Sequence, residues 1–250
     1  MKDRIQKALS GRNAFVEVRL QKKASNRIGF KKFGVDKITA ATDIGGFVRA
    51  LAPGGGWGIV TFNNIGQLET AIDDAIAASK AITPEQPIVL AQLDPVEAVV
   101  RAELVDDFRN HSLEEKVELV RRYNDIIRGY DNRIIDTTSI YGDGFSTVWF
   151  ANTEGTFIEQ ERADVIVVGS AVAREGANVQ TSHKSFSSRD SYCFIEGRDD
   201  DMKEVAKLAT DLLGAESIKG GVYPVILDPH LAGVFIHEAF GHLSDADFIT

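Results

Sequence analysis

The chain has 250 residues, enough for one large domain or two, and its content of 44% hydrophobic and 26% charged residues is ordinary for a globular protein. A formal net charge of −9 disfavours nonspecific nucleic-acid binding, because such binding needs a basic surface that displaces counterions from phosphates. One cysteine excludes an internal disulfide, no apolar run approaches the roughly 20 residues of a membrane span, and the amino terminus lacks the apolar core of a signal peptide. We therefore predict a cytoplasmic protein that binds neither membranes nor nucleic acid.

Residues 1–85 predict short strands followed by a helix. Four segments have the alternating or β-branched character of strands: 14–20, 27–35, 46–51 and 57–62. Asn64 is then a candidate N-cap for residues 65–82, whose apolar side chains recur at helical spacing. The Pro-containing residues 83–87 predict a linker, and we place a domain boundary between residues 85 and 86.

Residues 86–220 predict a second α+β segment. Ser112 and Glu115 form a capping box, and an apolar stripe follows from residue 113 to residue 130. Residues 133–172 are rich in β-branched and aromatic types and predict strands. Two Gly-containing turns are expected among them, at residues 142–144 and 152–155.

The end of this segment predicts a loop, a helix and a short strand. The Ser-rich residues 181–192 are expected to form a long loop, and residues 202–213 an amphipathic helix. A strand is expected at residues 191–195, where Cys193 would be a small buried hydrophobe.

Residues 221–250 form the third predicted part. A short strand is expected at residues 223–227. Asp228 followed by Pro229 then predicts the start of a helix over roughly residues 229–243, with a carboxylate cap and a proline at the first helical position.

This last helix carries the segment G-V-F-I-H-E-A-F-G-H. Zinc peptidases of the H-E-x-x-H type place two His at i and i+4 on one helical face, with the Glu beside the water that the metal activates. Here His237 and His242 stand at i and i+5 and diverge by about 140° on a regular helix. Both reach one metal only if the helix is widened or ends between them. A π-bulge near Gly241 is the simplest such distortion.

Spacing alone leaves two interpretations open, a metal site and a chance arrangement of polar residues. The flanking residues are apolar, which predicts that the segment is buried: Val234, Phe235, Ile236 and Phe240. Unpaired His and Glu side chains would be costly to bury there, and metal ligation would remove that cost. The context therefore favours a metal site.

Several segments resemble the TldD/PmbA family, once called modulators of DNA gyrase. The H-E-x-x-x-H region at residues 233–248 is the most specific of them. Four others match the family in the same order: W-G-I-V-T-F-N at 57–63, N-T-E-G at 152–155, A-R-E-G at 173–176 and L-D-P-H at 227–230. The resemblance spans essentially the whole chain. It implies an α+β fold, in which an N-terminal domain of mixed strands and helices precedes a β-rich C-terminal domain.

The resemblance also implies a function. It implies a zinc metallopeptidase that acts on small or unfolded peptides, with His237 and His242 as zinc ligands and Glu238 as the general base. The chain looks like the TldD-type subunit, which carries this motif, whereas the PmbA-type subunit lacks it. A homodimer, or a heterodimer with a PmbA-like subunit, is therefore expected.

The family's third zinc ligand is a cysteine in the C-terminal domain. The chain stops eight residues after His242, and we expect most of that domain to lie beyond it, which would leave this chain alone without the third ligand and inactive. A catalytically silent subunit that binds peptides or acts as a scaffold is the rival hypothesis. Stoichiometric zinc and the effect of Glu238→Gln on cleavage distinguish the two.

Other residues of ligand type have weaker claims. Cys193 is a conceivable substitute ligand, and Asp245 and Asp247 suit hydrogen bonding to a ligating His or contact with substrate. His230 precedes His237 by two turns, about 10.5 Å, which is too far for one zinc. Two further histidines are expected at the surface: His111 and His183.

Overall fold

The computed structural model describes residues 1–245 and divides into two compact units, Met1–Gly214 and a second unit from Ala215 onward. The first unit contains seven strands, which we number in chain order: β1 (Phe15–Lys31), β2 (Gly34–Leu51), β3 (Trp57–Phe62), β4 (Glu97–Val100), β5 (Ile134–Asn152), β6 (Phe157–Glu175) and β7 (Asn178–Ser188). It also contains four α-helices: α1 (Lys2–Leu9), α2 (Leu68–Lys80), α3 (Leu113–Arg128) and α4 (Asp199–Asp211). The second unit contains α5 (Pro229–Ile236).

All seven strands belong to one sheet of order β3-β2-β1-β5-β6-β4, with β7 also paired to β6. Every pairing is antiparallel except the short parallel pair of β4 and β6. A mostly antiparallel sheet with helices packed against it confirms the predicted α+β class.

The four helices of the first unit lie on one face of this sheet. The buried hydrophobic side chains of β1 are even-numbered, and the strand registers place them beside odd-numbered residues of β5 and β6; Ile28 lies opposite Tyr141, which lies opposite Val167. One hydrophobic cluster joins α1 and α2 to this face, and a second joins α3 and α4 to it. An antiparallel sheet packed on one face and open on the other accounts for the alternation along these strands.

Several predicted elements are confirmed. The strand at residues 57–62 and the turn after β5 form as expected, the latter with Gly155 at φ 99°. Ser112 caps α3 through the complete capping box with Glu115. Asn64 accepts a hydrogen bond from the Gly66 N–H and caps a single 3-10 turn that leads into α2. Two elements were not foreseen from the sequence, namely α1 and β4.

The turn predicted at residues 142–144 is wrong. These residues lie in the middle of β5, which pairs with β1 on one side and β6 on the other. Asp143 is 5% exposed there and forms an ion pair with Lys116 of α3 at 2.7 Å. The Gly-Asp-Gly sequence has the composition of a turn. In this structure its aspartate instead forms a buried ionic contact between the sheet and a helix.

The predicted Ser-rich loop at residues 181–192 is also wrong, because most of it forms β7. This strand pairs only with β6, so polar residues can face solvent along it. The strand expected at residues 191–195 is a 3-10 turn over Cys193–Ile195 instead, and Cys193 is exposed and not buried. The neighbouring Tyr192 is buried in its place.

The strand predicted at residues 223–227 is absent from the described part of the second unit. The division at residues 85 and 86 stays a prediction; β1 pairs with both β2 and β5, so a single sheet includes residues from both sides of it. None of the helices within residues 1–245 is long and apolar enough to cross a membrane.

Candidate metal centre

The candidate centre lies in the second unit, where α5 begins as the sequence predicts. The Asp228 carboxylate accepts a hydrogen bond from the Leu231 N–H at 2.7 Å, and Pro229 occupies the first helical position. Both features stabilise a helix start, since the carboxylate satisfies a free N–H and proline has no N–H to satisfy.

The helix widens into a π-turn at His237–Gly241, directly after α5. The His242 N–H donates to the His237 carbonyl, five residues earlier, and a 3-10 turn follows at His242–Ser244. The predicted local widening of the helix is therefore confirmed. The hydrogen bond that defines it joins the two histidines of the motif.

The π-turn brings the three polar side chains of the motif together. The His237 and His242 rings lie 4.6 Å apart between centroids at an angle of 70°, and His242 Nε2 lies 3.7 Å from Glu238 Oε2. One potential ligand atom from each of the three residues lies within 4.8 Å of the other two. The two histidines, which a regular helix would separate by about 140°, thus share one side of this segment.

This donor set fits zinc. Two imidazoles and a carboxylate are common zinc ligands, and bonds near 2.0–2.1 Å separate tetrahedral ligand atoms by roughly 3.3 Å. The three ligand atoms lie within 4.8 Å of one another, which is wider than that separation. In the described chain this is the one group of three such side chains.

The segment is exposed, which contradicts the burial expected from its apolar flanks. The side chains of His242 and Glu238 are 62% and 64% exposed. Phe235, Ile236 and Phe240 are also more than half exposed. The cost of burying unpaired polar groups therefore does not apply here, and the case for a metal depends on geometry.

Gly241 contributes less than the sequence suggests. Its φ of −57° and ψ of −50° are ordinary helical values, which any residue adopts. A Cβ at this position would lie 3.6 Å from His237 Nδ1, an ordinary van der Waals contact. The π-turn therefore does not need glycine for its backbone conformation.

The other candidate ligands lie outside this group. His230 is exposed at the start of α5, and Asp245 is exposed and lies beyond the 3-10 turn. Asp247 falls outside the described residues. His183 is exposed on β7, as expected.

His111 is partly buried and makes side-chain contacts, whereas the sequence predicts a surface residue. Its Nε2 lies 2.9 Å from Asp106 Oδ1, and its ring stacks on Tyr192 at 3.8 Å between centroids. Cys193 follows that tyrosine, and its Sγ lies 2.9 Å from Ser191 Oγ. These contacts hold the 3-10 turn against the loop before α3, which is a structural role.

Comparison with known proteins identifies the family. The model of PmbA/TldA metallopeptidase domain 1 matches residues 16–82, and that of the PmbA/TldA metallopeptidase central domain matches residues 106–215. A metalloprotease of Synechocystis is 36% identical over 94% of this chain and 50% of its own length. A metalloprotease of Methanocaldococcus jannaschii is 30% identical over 94% of this chain and 52% of its own length.

Solved structures share the fold. A candidate modulator of DNA gyrase from Bacteroides thetaiotaomicron superposes with a TM-score of 0.81 and 19% identity, over 97% of this chain and 56% of that one. TldE from Thermococcus kodakarensis superposes with a TM-score of 0.59 and 14% identity, over 84% and 45% respectively.

These matches define the class of protein: the chain carries the first and central domains of a metallopeptidase-type architecture. It belongs to the TldD/PmbA family, as the sequence motifs indicated. The chain spans about half the length of the curated relatives that it matches.

Proposed function

We propose that the protein is a zinc-dependent peptidase that acts on small or unfolded peptides. The observation that carries this proposal is the π-turn, which places His237 and His242 side by side with Glu238 next to them. The names of relatives support it, since several are metalloproteases and one from Saccharolobus solfataricus is a zinc metalloprotease TldD homolog.

His237 and His242 are the proposed zinc ligands. Imidazole nitrogen is a preferred zinc donor, and both rings are exposed and free to turn toward a common point. We infer a thiolate from outside the described residues as the third protein ligand, in line with the resemblance described above. A zinc ion in such a site lowers the pKa of water and polarises a peptide carbonyl.

Glu238 is the proposed general base. One of its Oε atoms takes a proton from the attacking water and then delivers that proton to the nitrogen of the departing amine, so the carboxylate is regenerated in each cycle. Its Oε2 lies 3.7 Å from His242 Nε2, so the carboxylate stands next to one of the proposed ligands.

Substrate and partner follow from the same proposal. We infer that short or unfolded peptides are cut, and that the functional unit is a homodimer or a heterodimer with a PmbA-like subunit. The solved TldE structure shares the fold, in keeping with such a partner. The absence of disulfides is in keeping with the cytoplasm as the location.

Cleavage of an unfolded peptide by the protein at its natural length tests this function. Glu238→Gln should lower the rate at least about 10²-fold, because it removes the proton acceptor, while zinc content stays unchanged. Glu216→Gln, an exposed carboxylate in the same unit, is the matched control and should leave the rate unaltered.

Two results would overturn the proposal. If purified protein holds no zinc and Glu238→Gln leaves cleavage unchanged, the chain belongs to a silent binding or scaffolding subunit. If Glu238→Gln loses zinc together with activity, Glu238 is a ligand and the base lies elsewhere.

A further inference from the structure

Two thirds of β2 forms an open edge of the sheet. On one side β2 pairs with β1 along its whole length, whereas on the other side it pairs with β3 only from Gly46 to Leu51. Among the described residues no strand covers the outer side of residues 34–45. Residues 34–43 are also exposed on both faces. Residues 34–45, which we call the β2 edge, present unpaired backbone N–H and C=O groups.

The β2 edge is supported by the neighbouring strands of the sheet, β1 and β5. β1 continues to pair with β5 beside it, as far as Lys31 opposite Thr138. The register between β1 and β2 shifts once within this stretch, because Asp36 is the extra residue of a β-bulge. The nine residues 37–45 therefore form a regular preformed ladder about 31 Å long. Strands with this property readily pair with another extended chain.

The sequence of the β2 edge is complementary to itself. In an antiparallel pairing of two copies centred on Ala40, each residue lies opposite the residue at the same distance on the other side of the centre. Lys37 then lies opposite Asp43, and the two-fold symmetry repeats this ion pair. Both side chains are exposed and point to the same face of the sheet, since odd-numbered residues of a strand share a face.

The regular part of the edge accommodates this register. A pairing centred on Ala40 runs from Lys37 to Asp43 in each copy, between the bulge at Asp36 and the point where β3 begins to pair at Gly46. A shift of two residues in either direction, the smallest that keeps the faces matched, separates Lys37 from Asp43.

We propose that the β2 edge is a self-association surface, through which two copies of this chain pair antiparallel with their two-fold axis at Ala40. The two sheets then form one continuous sheet, and the helices of both copies lie on the same side of it. The contact is isologous, so it closes as a dimer and does not propagate. This proposal does not depend on zinc or on catalysis.

A charge exchange tests the register. Sedimentation of the 250-residue chain should show a dimer. Lys37→Asp and Asp43→Lys should each weaken it about tenfold or more, because each places like charges opposite one another twice. The double variant should restore the dimer. Asp36→Lys is the matched control and should have little effect, since Asp36 is the bulge residue and lies outside the paired stretch Lys37–Asp43.

A cross-link tests the symmetry axis. In a Cys193→Ser background, Ala40→Cys should form a disulfide between copies, because directly opposed Cα atoms lie about 4.5–5.5 Å apart, within disulfide range. Val35→Cys should not, because it lies beyond the bulge at Asp36 and outside the paired stretch. A monomer at high concentration, or a dimer that the charge exchange leaves intact, would overturn the proposal. Equal cross-linking by both cysteine variants would overturn the register. Circular dichroism confirms that each variant is folded.

Discussion

Asp143 shows how a single residue connects the layers of the first unit. Its carboxylate accepts hydrogen bonds from Lys116 Nζ at 2.7 Å, from the Tyr141 hydroxyl at 2.5 Å and from Asn26 at 3.0 Å. Lys116 and Asp143 have side chains that are 3% and 2% exposed. Burial raises the pKa of Tyr141, and so does the hydrogen bond that its hydroxyl donates to the Asp143 carboxylate. This hydroxyl therefore stays protonated and remains a donor. The contact thus links α3 to β5 and β1.

Removing this carboxylate should be strongly destabilising. Asp143→Ala leaves the Lys116 ammonium buried without a partner, and we expect the free energy of unfolding to fall by about 3–5 kcal/mol. Urea denaturation measures it. Asp200→Ala is the control, because the Asp200–Lys203 pair is exposed and such pairs contribute less than about 1 kcal/mol. Equal effects of the two variants would contradict a structural role for the buried pair.

Asp131 is expected to make the stability of the fold depend on pH. Hydrogen bonds from the Arg133 side chain and backbone lower its pKa from the ordinary 3.8 to about 2. A carboxyl group whose pKa is lower in the folded state stabilises it above the unfolded pKa, and this contribution is lost as pH falls through the folded pKa. The melting temperature of the wild type should therefore exceed that of Asp131→Asn by a constant amount above about pH 4. The difference should shrink between pH 4 and pH 2; a difference independent of pH would contradict the assignment.

The residues of the candidate metal site could be selected from the sequence, whereas their exposure could not be predicted from it. His237, Glu238 and His242 were recognised by residue type and spacing. Their apolar neighbours suggested burial, yet Phe240 is 67% exposed. Local composition reports which side chains favour burial, whereas burial itself depends on what packs against them.

At the scale of elements, the π-turn is the feature that the sequence predicted most specifically. Two histidines at i and i+5 share a side only when the helix contains one extra residue in the turn between them. The hypothesis that both bind one metal therefore predicts a π-type backbone between His237 and His242. The expectation that the π-turn needs the conformational freedom of Gly241 is wrong, because the backbone of this residue has ordinary helical angles.

Substitution of Gly241 separates these two explanations. Gly241→Ala keeps a permitted backbone and adds a Cβ in ordinary contact with His237, so zinc affinity should change by less than about threefold. Competition with a zinc chelator measures it. A loss of tenfold or more would show that glycine is required for the π-turn.

Strand prediction failed where a polar sequence is compatible with both a strand and a turn or loop. Gly-Asp-Gly is typical of a turn, but in β5 it holds a buried ion pair. The Ser-rich residues of β7 are typical of a loop, but an edge strand with one partner tolerates them. In both cases pairing with residues distant in sequence decides the structure, and no local pattern reports it.

At the scale of the whole molecule, the described chain consists of a sheet-based unit and a short unit that carries the H-E-x-x-x-H segment. The hydrophobic face of the first unit carries two core clusters, one covered by α1 and α2 and the other by α3 and α4. In the second unit none of the residues described is buried. The fold of the first unit therefore does not depend on the metal, and the unit should remain folded when zinc is removed.

That independence can be measured. Chelation with EDTA should leave the near-ultraviolet circular dichroism from the buried tyrosines unchanged, because Tyr123, Tyr141 and Tyr192 all lie in the first unit. A cooperative loss of this signal on chelation would show that metal binding and folding of the sheet are coupled.

Zinc content is the most direct test of the central claim, that the π-turn makes His237 and His242 ligands of one metal. Elemental analysis of the protein at its natural length should find close to one zinc per chain. His237→Ala and His242→Ala should each lose it, whereas His230→Ala, on the same helix but outside the group, should retain it. Wild-type protein without zinc, or full zinc content in either of the first two variants, would contradict the account.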